Sequence, residues 1–536
     1  MINTNYNLQL NRKNQPAFGG AFELATQTFK VLNESPAVGA TIVDVGFMAT
    51  PRTWVDSKRG FNAGVETGIR ETSGSVNHAM IGAYGLLGAL CASTLLNSKY
   101  GIKASNIKAD SQTANLYSEM WQDFLKNTSK NSANKDLRIG FINKVFENTY
   151  ALGNTTSQKS FWSQLPKENL EQVKEILSES IKDDNSGYKL TKDSYNKLRT
   201  IITSTLGTEQ NLKVKYKEKS LSTTLESLLN DTTALSKAFT SEKIKPLYMN
   251  ADKVGIEKFL KTFGKYKAVA TFIGLGIGSA IGASVQPINR YLTKKRTGQD
   301  GFVGVNNNDK KFENKSLLNI YKGLASGAMG LLIYTALGGK GLGNIARNIQ
   351  FKGVMPTLNQ FKLVYGITII SRFLAARDTN ELRESTFKDF LGYTNWLILG
   401  SFVSKLVANK FNPSLVQVNS NGNKKLSLPE WLANSSLKTQ SEVLLSDAKR
   451  LNIPLLKDGK VRAFKDILQD TIKKSPSTKA KIRGLNIAQF AGLIYSGVVL
   501  GWAIPKINIL VTNKINQKDN HEKTIEEIHK ERTCIH

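Results

Sequence analysis

The sequence contains few of the residues that carry redox or metal chemistry. Cysteine occurs twice, as Cys91 and Cys534, and histidine four times in 536 residues. Two cysteines cannot form a disulfide framework, so we expect a reducing or redox-indifferent environment. His521, His529 and His536 accompany Cys534 near the end of the chain, but their spacing matches no standard zinc motif. We therefore predict no metal site and no cofactor.

Acidic residues are also scarce relative to basic ones. The chain has 73 Lys and Arg against 43 Asp and Glu, a formal charge of +30. Such a surplus favours an anionic partner, either nucleic acid or acidic lipid headgroups. There is no zinc-finger spacing and no basic helix leading into a zipper, and the lysines and arginines recur beside apolar runs. We expect a lipid bilayer with anionic headgroups as a partner, and no nucleic acid.

Residues 1–30 lack the continuous apolar core of a cleavable signal peptide. Membrane insertion would then use the first internal span as an uncleaved signal. The polar N-terminal arm 1–36 has two parts: residues 1–20 are polar and rich in asparagine, which predicts a disordered segment, and 21–32 are predicted to form a short amphipathic helix that stops before Pro36.

Long apolar runs are abundant. The run 268–285 is uncharged, about 18 residues long, and flanked by lysines and arginines on both sides. This is close to the length that crosses a hydrocarbon core as a helix. Similar runs occupy 79–96, 318–337 and 487–504. We interpret all four as transmembrane helices, which places the protein in a membrane as a multi-pass chain.

Glycines recur at helical spacing in these runs. In lipid, a helix face without side chains allows two backbones to approach closely. This pattern predicts helix packing, either within one chain or in a homo-oligomer formed through the glycine-rich helices. The packing glycines are predicted to be Gly82, Gly274, Gly278, Gly282, Gly323, Gly327, Gly497 and Gly501.

One alternative for the run 268–285 is a strand, glycine turn and helix of a dinucleotide-binding fold. Gly276, Gly278 and Gly282 give a variant of the fingerprint for such a fold. That fold requires a second strand about 20 residues further on, with an acidic residue for the ribose. The continuation QPINRYLTKKRTGQDG contains no apolar strand, so the membrane-helix interpretation is preferred.

The predicted fold class is all-α, with four strong transmembrane helices and up to six. A large soluble helical domain stands between the first and second spans, and a smaller one precedes the last. The predicted divisions are a polar arm at 1–36, a re-entrant or interfacial segment, charged helix and first span at 37–97, a soluble bundle at 98–267, a membrane region at 268–410 with weaker spans at 361–376 and 391–408, a second polar region at 411–486, a last span at 487–511 and a charged tail at 512–536.

Apolar residues return at helical spacing through 98–267, which predicts a bundle of about six helices. Its core is predicted to contain Trp121, Phe124, Phe141, Phe146 and Leu228. The bundle contains no histidine, so a histidine-based catalytic site cannot lie wholly within it. We expect any protein partner to bind through this domain.

A charged segment precedes the first span and forms the candidate polar site at the membrane boundary. Its members are Asp44, Arg52, Asp56, Glu66, Arg70, Glu71 and His78. Glu66 and Arg70 have the favourable order and spacing for a helical ion pair, as do Arg377 and Glu381 further on. Two interpretations remain open: a solvated helix that forms salt bridges with itself, or a functional polar site.

Four functions compete. The leading hypothesis is a non-enzymatic membrane protein whose soluble domain binds or organises a partner at a lipid surface. The second is a transporter or pore, which would need ionisable groups at mid-bilayer. The third is a membrane-bound enzyme in which Glu66, Arg70, Glu71 and His78 supply acid, base and phosphate-binding groups. The fourth is a secreted helical protein whose apolar hairpins insert into a target membrane.

Overall fold

The computed structural model describes residues 21–34, 39, 41–129, 132–151, 160–181, 190–299, 303, 315–339, 341–352, 356–398, 402–418, 426–515 and 517. Helices account for 78% of it and strands for 5%, which agrees with an all-α class. Most of the N-terminal arm, the loop 304–314 and the tail from 518, including its histidines and Cys534, lie outside the described residues.

The elements up to the second polar region follow one another along the chain. They are α1 (Ala21–Glu34), a π-helix (Val43–Ala49), α2 (Thr50–Ser57), α3 (Phe61–Ala79), α4 (Ile81–Ala92), α5 (Thr94–Tyr100), a 3-10 turn (Ala104–Asn106), α6 (Ser111–Lys126), α7 (Asn134–Glu147), β1 (Thr149–Ala151), α8 (Phe161–Gln164), α9 (Lys167–Ser180), α10 (Lys192–Leu206), β2 (Leu212–Tyr216), β3 (Lys219–Thr223), α11 (Leu225–Phe239), α12 (Lys245–Met249), α13 (Lys253–Thr297), α14 (Lys315–Ala336), α15 (Leu342–Asn348), α16 (Leu358–Leu374), α17 (Thr379–Tyr393), a second π-helix (Thr394–Ile398) and α18 (Phe402–Phe411).

The remaining elements form the second polar region and the last long helix. They are a 3-10 turn (Pro413–Leu415), β4 (Val416–Val418), α19 (Leu428–Ala433), β5 (Ser435–Leu437), α20 (Gln440–Arg450), β6 (Leu456–Lys457), β7 (Lys460–Val461), α21 (Phe464–Lys474), α22 (Pro476–Tyr495) and a third π-helix (Ser496–Ala503). After Ala503 the chain continues as helix to residue 515.

The 45-residue helix α13 is the longest element of the fold. At 1.5 Å per residue it extends for about 68 Å, roughly twice the thickness of a hydrocarbon core. The apolar run predicted a helix of ordinary span length, but the flanking segments 253–267 and 286–297 continue it in both directions. These flanks pack against other parts of the protein, which supports helix beyond the apolar run.

Helix α13 pairs antiparallel with the succession α3, α4 and α5. At one end of the seam the Arg296 side chain donates to the carbonyl of Asn62, 3.3 Å away. Near the middle Asn77 Nδ2 donates to the Gly278 carbonyl at 2.9 Å. At the other end the rings of Tyr100 and Phe259 meet edge to face, 5.2 Å apart. The two strings of helix therefore run side by side over almost the full length of α13.

Glycines allow this seam to close to backbone contact. A Cβ placed on Gly88 would overlap the carbonyl oxygen of Ala270, and one on Gly274 would stand 2.9 Å from the Cα of Gly85. Contacts this short between a Cβ and a backbone atom do not occur without displacement of one helix, so glycine is required at these positions.

Helix α16 runs parallel to α13 on another side. Pro287 interrupts the hydrogen-bond ladder of α13, because proline has no N–H to donate to the carbonyl of Ala283. The Ser371 hydroxyl of α16 donates to that carbonyl instead, at 2.5 Å. Helix α14 covers α16, with Ile333 in contact with Gly366.

Four helices are long and apolar enough to cross a membrane. They comprise Ile81–Tyr100, Lys253–Thr297, Lys315–Ala336 and Pro476–Ile515. Only 17% to 33% of their apolar windows is buried within the protein. The weaker predicted spans 361–376 and 391–408 are not among these four in the part of the chain that the structure describes. Helix α16 is instead largely buried among its neighbours.

The region 98–267 contains one continuous core. Trp121, Phe141, Phe146 and Leu228 are buried in it, whereas Phe124 is half-buried and packs against its edge. A small antiparallel sheet in the order β1-β2-β3 covers one side, with Val214 paired to Thr149 and to Leu221. The sequence periodicity predicted helices only and missed this sheet, because its strands are short.

The two polar regions pack against each other. Glu442 caps α20 by accepting from the backbone N–H of Thr439 at 2.8 Å. The same carboxylate accepts from the N–H groups of Glu209 and Gln210, at 2.7 and 3.2 Å, and from the Thr208 hydroxyl at 2.8 Å. One buried carboxylate thus joins the turn after α10 to the start of α20.

Replacing Glu442 by alanine is expected to loosen this junction. Loss of a helix cap together with hydrogen bonds to a charged acceptor should lower stability by about 2 to 4 kcal/mol. Amide hydrogen exchange at Glu209 and Gln210 should accelerate with it. The control is Glu430→Ala, because Glu430 forms the same kind of capping box on the exposed helix α19. Equal exchange in both variants at residues 209 and 210 would contradict this role for Glu442.

Candidate functional site

A cluster of buried charged side chains lies at the end of the apolar helices that is remote from the polar regions. Helices α2 and α3 supply one half of it and α16 and α17 the other. Pro51 stands where the first π-helix passes directly into α2, so one N–H donor is missing at that junction. Asp378 caps α17 by accepting from the Glu381 N–H at 2.8 Å. The π-helix junction before α2 and the capped start of α17 flank the segments whose acids and bases meet in the cluster.

Glu71 of α3 is the centre of the cluster. Its carboxylate accepts from Arg52, Arg70 and Lys388, each at 3.2 Å, and Arg372 lies 3.8 Å away. Burial alone would raise the pKa of Glu71, but the four surrounding cations outweigh it and hold the pKa well below the ordinary value. The carboxylate is therefore ionised in the folded protein.

Further contacts extend the cluster to α17 and to the last long helix. The Arg372 Nη1 donates to Asp389, a fully buried carboxylate, at 3.2 Å. Arg52 Nε donates to the carbonyl of Leu500 at 3.4 Å. Arg59 binds Glu384 through both terminal nitrogens, at 2.6 and 2.9 Å. The cluster consequently holds the segment 496–515 against α2 and α17.

A second group of ion pairs joins α3 to the start of α17. Arg377 binds Glu66 at 2.5 Å and Glu381 at 3.0 Å. The predicted pair of Arg377 and Glu381 therefore forms. The predicted helical pair of Glu66 and Arg70 was wrong, because Glu66 turns to Arg377 while Arg70 binds Glu71 and lies 3.3 Å from the Thr67 hydroxyl.

The other predicted members of the polar site lie close by. Asp56 accepts from the Thr67 hydroxyl at 2.6 Å. Asp44 is buried in the first π-helix, and its carboxylate is 3.3 Å from His78 Nδ1. The imidazole of His78 contacts Tyr365 edge to face at 4.9 Å. The seven predicted residues thus fall into three groups: Arg52, Asp56, Arg70 and Glu71 in the cluster, Glu66 with Arg377, and Asp44 with His78. Most of their side chains are buried, which does not fit a solvated helix.

Sequence reasoning missed half of the cluster. The sequence predicted a weaker span at 361–376 and singled out only the spacing of Arg377 and Glu381 in this part of the chain. A usable signal was present, because strongly charged residues there alternate with apolar ones at helical spacing. The missed residues are Arg372, Arg377, Glu381, Glu384, Lys388 and Asp389.

The cluster leaves almost no space for a ligand. The cavity within it measures about 20 Å³ and is lined by Arg52, Asp56, Arg70, Glu384 and Lys388, among others. This is room for about one water molecule. Among the described residues, no group of three or more His, Cys, Asp or Glu is placed to hold a metal ion. The arrangement is suited to fixing helices in position.

The predicted packing glycines occupy different environments. Gly278 lies against Tyr84, Gly282 against Thr368, and Gly501 against the backbone of the first π-helix. Gly497 contacts Phe47 of the same π-helix, and Gly82 is half-buried on α4.

Two further predicted packing glycines behave differently. Gly323 and Gly327 of α14 are exposed, and no atom of the described chain comes within 4 Å of a Cβ placed on either. The GxxxG of α14 therefore contributes no contact within this described chain.

A larger cavity of about 520 Å³ lies between the last long helix, α18 and β5. Apolar walls from Val403 and Leu493 face polar ones from Ser436 and Gln489. Lys405 is half-buried, its ammonium donates to the Leu432 carbonyl at 2.9 Å, and burial lowers its pKa. The volume is in the range of small-ligand sites, but the described residues of its walls include no pair of charged groups suited to catalysis.

A separate buried carboxylate lies in the polar bundle. Asp231 of α11 is fully desolvated, and burial raises its pKa to about 7, although the nearby Lys267 opposes the change. One of its oxygens has no hydrogen-bond partner among the described residues. Because the folded pKa exceeds the unfolded value of 3.8, the folded state binds the proton more tightly. This group therefore removes stability as the pH rises from about 4 to 7.

The variant Asp231→Asn should lack this dependence. The melting temperature of wild type relative to the variant is expected to fall as the pH is raised from about 5 to about 8, since only wild type must bury a charge there. Differential scanning fluorimetry of the full chain in detergent measures it. Parallel pH profiles for the two proteins would show that Asp231 is not protonated in the folded state.

None of the protein-family models, curated proteins or solved structures compared with this chain matches it. Its function must therefore be inferred from its own residues.

Proposed function

We propose that this chain is a non-enzymatic, multi-pass membrane protein whose polar regions bind or organise a protein partner at a lipid surface. The observation that carries this proposal is the outward apolar face of the four long helices. Phe272 is 80% exposed, and Leu324, Leu331 and Phe490 are each more than half exposed. Exposed apolar side chains on such long helices are unfavourable in water and favourable in lipid.

The path of the chain supports a definite topology. Helix α5 enters the bundle 98–267 and α13 leaves it, while α14 returns towards the same side, where Lys362 donates to the carbonyl of Ala336. The second polar region packs on the first through Glu442. Both polar regions would then lie on one side of the bilayer, the larger between the first two spans and the smaller before the last. The ionic cluster would lie near the opposite face.

The closed ionic cluster supports a structural role over a catalytic one. Its carboxylates already accept from several cations, and the space between them holds about one water. The same feature weakens the transporter hypothesis, because a transport site needs an accessible cavity at mid-bilayer. The enzyme hypothesis has no greater support, since Glu66, Arg70 and Glu71 are bound to other side chains.

Extraction of membranes with alkaline carbonate tests the location. The full chain should stay in the pellet, because four apolar helices of this length resist extraction. Release into the supernatant would refute integral spans. Protease added to sealed vesicles of one orientation should then cut both polar regions or neither, since the two are proposed to share a side. Cutting of only one region would overturn the topology.

Photo-cross-linking tests for the partner. A photoreactive residue in place of Lys126, whose side chain is 74% exposed on the bundle, should trap a discrete protein adduct in native membranes. The matched control replaces Phe272, which is proposed to face lipid and should give lipid adducts only. If neither the Lys126 position nor other exposed positions of α6 yield a protein adduct, partner binding through this domain would be rejected.

A further inference from the structure

The cavity of about 520 Å³ beside the last long helix is elongated. Gln489 and Leu500 both line it and stand 11 residues apart on one continuous helix, which separates them by about 15 Å. This is about half the thickness of a hydrocarbon core, which corresponds to the length of one lipid acyl chain. The cavity therefore has the length that an extended acyl chain needs.

The end of the cavity at Leu500 is apolar. Leu500 and Val43 pack in one small hydrophobic cluster, and both line the cavity. Leu493 adds a further apolar wall. Between the two ends the Tyr495 hydroxyl donates to Asn395 Oδ1 at 2.5 Å, so these two groups are paired within the protein. A hydrocarbon chain fits this part of the cavity without depriving either group of its partner.

The end of the cavity at Gln489 carries hydrogen-bond donors. Gln489 bonds to Gln440 of α20, and β5, which contains Ser435, directly precedes that helix. Ser435 is only 7% exposed, and its hydroxyl has no hydrogen-bond partner among the described residues. Lys405 lines the same end, because its ammonium donates to the carbonyl of Leu432, three residues before Ser435.

A buried hydroxyl without a partner is unfavourable, so a ligand that supplies an acceptor oxygen to Ser435 gains a hydrogen bond that the protein leaves unmade. Lys405 has three N–H donors, of which the Leu432 carbonyl takes one. None of the described wall residues is acidic, so no carboxylate of the walls repels such an oxygen. The cavity thus combines an apolar chain site with donors at one end.

We propose that this cavity binds a single-chain lipid, with the acyl chain along Leu493 and Leu500 and its carbonyl oxygen accepting from the Ser435 hydroxyl. A volume of about 520 Å³ suits one chain, whereas the two chains and head group of a phospholipid need more room. A fatty acid and a monoacylglycerol both carry the required carbonyl group. The assignment depends on the cavity alone and holds whether or not the long helices lie in a membrane.

Photoaffinity labelling of the full chain tests the assignment. The protein is kept soluble by an amphipathic polymer, because detergent monomers are themselves single-chain amphiphiles. A palmitic acid that carries a diazirine near the end of its chain should label peptides that contain Val43 or Leu500. Leu493→Trp, which places an indole in the apolar part of the cavity, should abolish this labelling. The matched control, Leu324→Trp on the exposed face of α14, should leave it unchanged.

Ser435→Ala tests the position of the carbonyl group. Loss of one hydrogen bond should raise the concentration of palmitic acid needed for half-maximal labelling by about two- to tenfold. The melting temperature should not fall, because the hydroxyl has no partner among the described residues, whereas a purely structural role would lower it. The control is Ser496→Ala: Ser496 also lines the cavity, but its hydroxyl donates to the Gly492 carbonyl of its own helix, so affinity should stay as in wild type.

Competition identifies the source of the acyl chain. Unlabelled palmitic acid and glycerol monopalmitate should both displace the probe, and the one that acts at lower concentration identifies the head group as acid or ester. If neither displaces it, or if labelling is spread over exposed residues such as Phe272 and persists in Leu493→Trp, the cavity assignment is wrong. Equal affinity of Ser435→Ala and wild type would overturn the contact with the carbonyl oxygen. Absence of labelling in the cavity rejects this inference alone, whereas release by alkaline carbonate rejects only the proposed function.

Discussion

Replacement of Glu71 by glutamine is expected to destabilise the protein by about 3 to 5 kcal/mol, because it leaves Arg52, Arg70, Arg372 and Lys388 buried without their shared counter-charge. Glutamine has nearly the same volume, so the effect reports the charge and leaves the packing intact. The measurement is the thermal unfolding of the full chain in detergent, followed by intrinsic fluorescence.

The control for this substitution is Glu257→Gln. Glu257 is exposed near the end of α13 that joins the polar bundle. Loss of one carboxylate there should change stability by less than about 0.5 kcal/mol. If the two variants melted together, Asp389 and Asp56 would suffice to compensate the cations around Glu71. In that case Glu71 would not be the residue that holds the helices of the cluster together.

A loss of stability is also expected from Gly88→Ala. The added methyl group would overlap the carbonyl oxygen of Ala270, which belongs to the backbone and cannot turn aside. Helices α4 and α13 must then separate along their seam, and overpacking of this kind costs about 1 to 3 kcal/mol. Thermal unfolding in detergent should show the loss of stability. Two cysteines introduced on opposite sides of the seam should also cross-link more slowly in the variant.

Gly276→Ala is the matched control for the seam. Gly276 lies on α13 close to the contact, but a Cβ placed there meets no atom within 4 Å. Alanine should leave stability unchanged or raise it by up to about 1 kcal/mol through its higher helix propensity. Equal losses in both variants would mean that glycine serves the flexibility of α13, and that close backbone contact is not the reason for it.

The apolar helices were predictable because a long run without charge is a local property of the sequence. Their true lengths were not, as α13 shows: the lysines before residue 268 and the arginines after 285 looked like the flanks of a span. They continue the helix because Tyr266 and Asn289 pack against the bundle and against α3. Tertiary contacts of this kind leave no local trace in the sequence.

The candidate site was half predictable for the same reason. The charged residues between 44 and 78 form a dense local group, so their density identified them. Their counter-charges come from α16 and α17, about 300 residues later, and no periodicity relates segments that far apart. The Glu66–Arg70 spacing was misleading, because a helical pair contributes only about 0.3 to 0.5 kcal/mol and yields to a buried arginine that binds two carboxylates.

The antiparallel seam between α13 and the succession α3 to α5 affects how the chain folds. Asn62 and Arg296 meet across 234 residues of chain, and closing so long a loop has a high entropic cost while the chain is unfolded. The bundle at 98–267 lies between them, and once folded it brings Tyr100 to within ring contact of Phe259. Folding of the bundle therefore shortens the loop that must still be closed, and we expect it to lower the entropic cost of pairing α13 with the succession α3 to α5.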